Sequence, residues 1–194
     1  LLEKAIRHWF SYPGDILGFS HVGASLMYGA YQKGNEALAQ IQTLLEEHVT
    51  QNSMYREAGP VIETPLAAAE CIQQLLLQSW GGKIRVFPAM PDDWKDASFI
   101  GFLAQGGFRV SASYKGGRTE WIEIESLAGE PCVVETDMDL AKIRYSDGRV
   151  EQKRMEMYCE IPLGAGEKVK MVRCETDGTR TKSNLTSLGK SPAS

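Results

Sequence analysis

Across 194 residues, 21 Lys and Arg stand against 25 Asp and Glu, a formal net charge of −4, with the cations scattered along the chain. That balance excludes a basic nucleic-acid face, because neutralising phosphates needs clustered cations. No apolar run approaches the roughly 20 residues that span a bilayer, so neither nucleic acid nor a membrane is predicted as a partner. The length suits one large domain or two small ones, with a core that needs no covalent staple.

Residues 1–10 predict a short helix with Leu2, Ala5, Ile6 and Trp9 on one face, broken by Ser11-Tyr12-Pro13-Gly14-Asp15. A second helix is predicted from Ser20 as N-cap to about Gln32. Its small residues, Gly23, Ala24, Ser25, Gly29 and Ala30, predict close packing on neighbouring helices. Asn35 to Val49 carries Ala37, Leu38, Ile41, Leu44, Leu45 and Val49 at helical spacing. After a mixed loop over residues 50–63, Thr64 reads as an N-cap with Pro65 at the first helical position. This fourth helix is predicted to run through Cys71 to Gly81-Gly82. Four helices at this spacing read as helical hairpins taken from a larger array.

The periodicity then turns to two. Ile84 to Phe87 is a short apolar strand, and Phe108–Tyr114, Thr119–Leu127, Pro131–Thr136, Met157–Ile161 and Val169–Val172 alternate. Asp147-Gly148, between Ile143–Tyr145 and Arg149-Val150, is a hairpin signal. Six or seven short antiparallel strands predict a β-sandwich. The fold class is therefore α+β: N-terminal helical hairpins over 1–82, an antiparallel β-sandwich over 83–175, and a polar, disordered tail over 176–194. The sequon Asn184-Leu185-Thr186 in that tail reads as chance. Four cysteines show no Cys-x-x-Cys spacing; Cys71 reads as a small core residue, and a disulfide among Cys132, Cys159 and Cys174 stays open.

Chemistry-bearing residues concentrate in the loop over 50–63, which holds Asn52, Tyr55, Arg56, Glu57 and Glu63 before a helix N-terminus. The helix dipole and free N–H groups favour a carboxylate at Glu63, the state a general base needs. Acidic residues also stand at helix starts for stability alone, and Arg56 with Glu57 reads equally as a loop ion pair. His8, His21 and His48 share no metal-ligand spacing, so no metal and no cofactor is predicted. On the β half the carboxylates alternate outward, as on a solvated face.

Several segments together resemble glycoside hydrolase family 95, whose members include α-L-fucosidases. The block is Leu75-Leu76-Leu77-Gln78-Ser79, Gly82, Ile84, Phe87-Pro88-Ala89-Met90-Pro91, Trp94 and Gly106-Gly107-Phe108-Arg109-Val110. Gly18-Phe19-Ser20 and Gly34-Asn35-Glu36-Ala37 are similar to the family's Gly-Trp-Ser and Gly-Asp-x-Ala. The resemblance covers about residues 18–115. It implies the end of an (α/α)6 barrel followed by a β-sandwich, and hydrolysis of α-linked fucosides or related sugars by inversion. It further implies that Glu63 occupies the catalytic-base position, within Ile62-Glu63-Thr64-Pro65 where the family has Ile-Asp-Gly-Asn. Asn52, Tyr55, Arg56 and Glu57 would then contact a glycan or oligosaccharide substrate. The general acid would lie upstream of Leu1, in a missing N-terminal part of the same protein, and the piece alone is expected to be inactive. By the same resemblance its compartment is periplasmic or extracellular. The alternative is a non-catalytic carbohydrate-binding or structural module that kept the architecture and lost the site.

Overall fold

A computed structural model describes residues 1–12, 16–57, 59 and 61–175; the tail expected to be disordered, with its sequon, lies outside them. Four helices come first: α1 (Leu2–Trp9), α2 (Gly18–Ala30), α3 (Gly34–His48) and α4 (Glu63–Leu76). Ten strands follow: β1 (Leu77–Gln78), β2 (Ile84–Val86), β3 (Ala97–Ala104), β4 (Phe108–Lys115), β5 (Arg118–Ser126), β6 (Cys132–Glu135), β7 (Leu140–Tyr145), β8 (Val150–Arg154), β9 (Cys159–Ile161) and β10 (Lys168–Arg173). None of the described helices is long and apolar enough to cross a membrane.

The small residues of α2 do what their size allows. Trp9 of α1 lies over Gly23, where an added Cβ would sit 3.4 Å from the indole. The Ser25 hydroxyl donates to the Ala37 carbonyl at 2.9 Å, and Val22 packs with Ile41, Leu44 and Cys71. So α2 is the central helix, touching both α3 and α4.

The strands form two sheets, ordered β1-β2-β6-β9 and β3-β4-β5-β10-β7-β8. Their inward side chains, among them Val110, Ile122, Ile124, Val134, Ile143, Ile161 and Met171, make one core. The outward residues pair across strands instead: Arg109 with Glu125 at 2.9 Å, and Lys168 with Glu125 at 3.5 Å. This is the solvated carboxylate face that the alternation predicted, and such exposed pairs contribute little to stability.

Several local expectations need correction. Helix α2 starts at Gly18 after Leu17, leaving Ser20 buried within it, and α3 spans Gly34 to His48. Helix α4 begins at Glu63 with Ile62 as its N-cap, because the Thr64 hydroxyl is turned to Glu57 and does not cap the helix. It ends at Leu76: Leu77 and Gln78 leave the helix to pair with Val86 and Arg85, and Gly81 and Gly82 take positive φ to turn the hairpin. Strand β3 was not predicted. A register shift between Phe99 and Phe102, with Gly101 at φ 72°, breaks the alternation that would have revealed it. One pair, β2 with β6, is parallel; the others are antiparallel.

The helices are clamped onto the sandwich by the proline-punctuated segment after β2. Ala89 packs with Ala37 and Leu75, and Trp94 lies against the same cluster. Asn35 donates to the Asp92 carboxylate and accepts from the Asp92 N–H, both at 2.8 Å. Gly34 closes on the backbone of Ala89 and Met90; an added Cβ would meet the Met90 carbonyl carbon at 2.7 Å. The buried Gln78 amide donates to the Gly29 and Gln74 carbonyls, both at 2.9 Å, tying the joint to α2 and α4.

All four cysteines are free thiols. Cys132 and Cys159 are diagonal neighbours on paired strands inside the sandwich. Burial, then the neighbouring Cys159, pushes the Cys132 thiol from about 9 up to about 12. Burial, then its 2.7 Å hydrogen bond to Glu151, pushes the Tyr145 hydroxyl from about 10 up to about 12. In both cases the fold prefers the protonated group. Their stabilisation is therefore complete below the unfolded pKa and is lost as pH rises through the folded value. Thermal midpoints are expected to hold to pH 9 and to fall between pH 9 and 12, with a shallower fall for Cys132→Ala.

Candidate functional site

The start of α2, the end of α3 and the start of α4 meet at one end of the helical layer. A tight turn follows α3: the Ser53 N–H donates to the Thr50 carbonyl, the Thr50 N–H donates to the Met54 carbonyl, and Ser53 sits at φ 64°. The returning chain bridges Val49 to Tyr55, and the Arg56 N–H donates to the His48 carbonyl at 2.7 Å. Tyr55 is thereby laid under the first residue of α2. Gly18 leaves the room: an added Cβ there would collide with the Tyr55 hydroxyl and reach the Leu44 Cδ1 at 2.7 Å.

Glu57 gathers the loop. Its Oε2 accepts the Tyr55 hydroxyl at 2.6 Å and the Thr64 hydroxyl at 3.3 Å, joining the loop to the first turn of α4. Burial, followed by the hydrogen bond to Glu57, raises the Tyr55 pKa, so this hydroxyl remains a donor. The expected Arg56–Glu57 ion pair is absent among the described residues; Arg56 is exposed, and Glu57 is served by hydroxyls.

Glu63 projects from the N-terminus of α4 and is exposed. Its Oε2 accepts the Ile62 N–H at 3.1 Å, leaving Oε1 unoccupied by any described hydrogen bond. Asn52 is exposed in the turn and accepts the Thr50 hydroxyl. The fold thus joins Tyr55 and Glu57, places Glu63 beside their partner Thr64, and leaves Asn52 and Arg56 on the outer surface of the loop.

Behind the loop lies a group that spacing did not reveal. His21 is buried in the first turns of α2; its Nδ1 meets the Gln40 Oε1 at 2.9 Å. Its ring packs edge-on against Phe10 and lies 5.8 Å from the His48 ring. One donor atom each of His21, Glu47 and His48 lies within 4.8 Å of the other two. His21 and His48 are far apart in sequence on different helices, so only α2–α3 packing brings them together.

The sandwich offers a surface cleft of about 780 Å³ lined by Glu130, Arg149, Lys153, Glu160 and Glu167, without an aromatic ring on which a sugar could stack.

Residues 78–171 match the family model described as glycoside hydrolase family 95, C-terminal domain. From β1 into β10, then, the chain is similar to the C-terminal domain of that glycoside hydrolase family. The four helices precede the matched span. No curated protein matches the chain.

Proposed function

We propose that this chain forms the C-terminal part of an inverting glycoside hydrolase acting on α-linked fucosides or related sugars, with Glu63 as its general base. The observation that carries this reading is the family match over residues 78–171, on a sandwich to which α3 and α4 are directly clamped.

Inversion uses two carboxyl groups about 6.5–9.5 Å apart, one protonating the leaving oxygen and the other activating water on the opposite face of the sugar. In this reading Glu63 is the second group. The Ile62 N–H steadies Oε2, and Oε1 takes the proton of the attacking water as its oxygen bonds to the anomeric carbon. The first carboxyl comes from a preceding part of the same protein. Tyr55, Glu57 and Thr64 hold the loop in place, and exposed Asn52 and Arg56 are available to sugar hydroxyls. A periplasmic or extracellular location accords with an enzyme that meets glycans outside the cytoplasm.

A second reading, a non-catalytic carbohydrate-binding or structural module, draws support from Glu63 itself. That carboxylate is exposed and serves its own helix start, as a purely structural residue would. Proton NMR of α-L-fucosides treated with the longer protein separates the two. Release of the sugar first as its β-anomer is expected for the hydrolase, and binding without release would replace it with the module.

A further inference from the structure

We propose that His21, Glu47 and His48 form a binding site for a divalent transition-metal ion of the zinc class, pinning the start of α2 to the end of α3. Such a site would exist whether or not the protein is a glycosidase.

One ligand atom from each of the three side chains falls within 4.8 Å of the others, close enough for one ion to reach all three after small rotamer adjustments. Two imidazoles and one carboxylate are a donor set for zinc that leaves a fourth position to water. Nitrogen donors disfavour calcium and magnesium, which take oxygen ligands.

The protonation pattern agrees with that donor set. The Gln40 Oε1 can only accept, so the His21 Nδ1 carries the proton in their 2.9 Å hydrogen bond. A neutral His21 therefore has its lone pair on Nε2. Imidazole ligands are commonly oriented in this way, the other ring N–H donating to a fixed oxygen.

A separate sign of a ligand is the His48 Nε2, which is buried and has no hydrogen-bond partner. A buried polar nitrogen left unsatisfied is unfavourable and calls for an explanation, such as an ion. A cation here would also lie at the C-terminal end of α3, where the helix dipole favours positive charge. Phe10 packs on the His21 ring and Tyr55 lies 6.5 Å from the His48 ring, so aromatic walls limit water around the nitrogens. Glu47 is exposed and gives the ion a route from solvent.

The test is titration of the 194-residue chain with zinc sulfate by calorimetry, alongside cobalt(II) followed by absorption. One equivalent is expected to bind, and cobalt is expected to give visible ligand-field bands without the near-ultraviolet thiolate band that binding at the free cysteines would produce. His48→Ala should weaken binding by about 100-fold or more, and Gln40→Ala by about 10–100-fold, the range for groups that orient a ligand. Because His21→Ala removes a buried side chain, Glu47→Gln is the variant that leaves the fold intact; it should weaken zinc binding while circular dichroism is unchanged. Absence of saturable binding, a thiolate band, or unchanged affinity in both Glu47→Gln and His48→Ala would overturn the site.

Discussion

Glu63→Gln in the longer enzyme proposed above is expected to lower the rate of fucoside hydrolysis by about 10²–10⁴-fold, the usual contribution of a general base. The thermal midpoint should stay nearly constant. Glu63 is exposed and accepts one hydrogen bond, from the Ile62 N–H within its own helix start. A glutamine has the same shape and can still accept the Ile62 N–H through its amide oxygen. It cannot take a proton from water. The substitution therefore separates chemistry from folding better than truncation to alanine, which would also expose the first turn of α4. Unaltered turnover in Glu63→Gln would remove this carboxylate from the mechanism. Lost turnover together with a lowered midpoint would return it to a structural role.

Gly34→Ala should be the most damaging single methyl on the helical side. The added Cβ meets backbone atoms, the Ala89 carbonyl and the Met90 carbonyl carbon, and neither can swing aside as a side chain could. Overpacking of this kind costs about 1–3 kcal/mol, and more where the neighbour is fixed. Gly29→Ala is the informative contrast. It lies one helix away in α2, its added Cβ meets nothing within 4 Å, and it has no positive φ. There the helix-propensity gain of about 1 kcal/mol should appear as stabilisation. Urea unfolding of the two variants is expected to shift in opposite directions. A Gly34→Ala protein as stable as the parent would mean that the clamp is looser than the contacts imply.

The regular parts of the fold were legible wherever one side of an element is wet and the other dry. Helix α3 and strands β4 and β5 show this, because Glu123 and Glu125 had to face water if Ile122 and Ile124 did not. The irregular parts were hidden for specific reasons. Gly101 shifts the register of β3, so its buried residues do not fall at a constant interval. Leu77-Gln78 reads as helix by composition, yet its backbone bonds to β2, and only tertiary pairing decides that. Thr64-Pro65 carries the composition of a helix cap, but the Thr64 hydroxyl is drawn to Glu57 and the helix starts a residue earlier. At the site, the loop was visible as a concentration of polar residues ahead of a helix. That Tyr55 and Glu57 would bond to each other was not visible. Nor was the approach of His21 to His48, since nothing in the spacing of two residues on separate helices encodes how those helices cross.

The proline-rich run from Phe87 to Trp94 has a consequence for how such chains are read. Its residues hold α3 and α4 against the sheets through Ala89, Asp92 and Trp94, near Asn35, Ala37 and Leu75, at the helix ends opposite the loop that carries Glu63. The stretch that carries much of the resemblance is thus a mechanical splint, its role set by how helices and sheets fit together. If Glu63 is the base proposed above, a chain could lose the reaction through one change near it and still display the whole splint. A resemblance carried by the splint therefore speaks for the skeleton, while under the function proposed above the capacity to cleave a sugar would be decided in the loop at the other ends of α3 and α4.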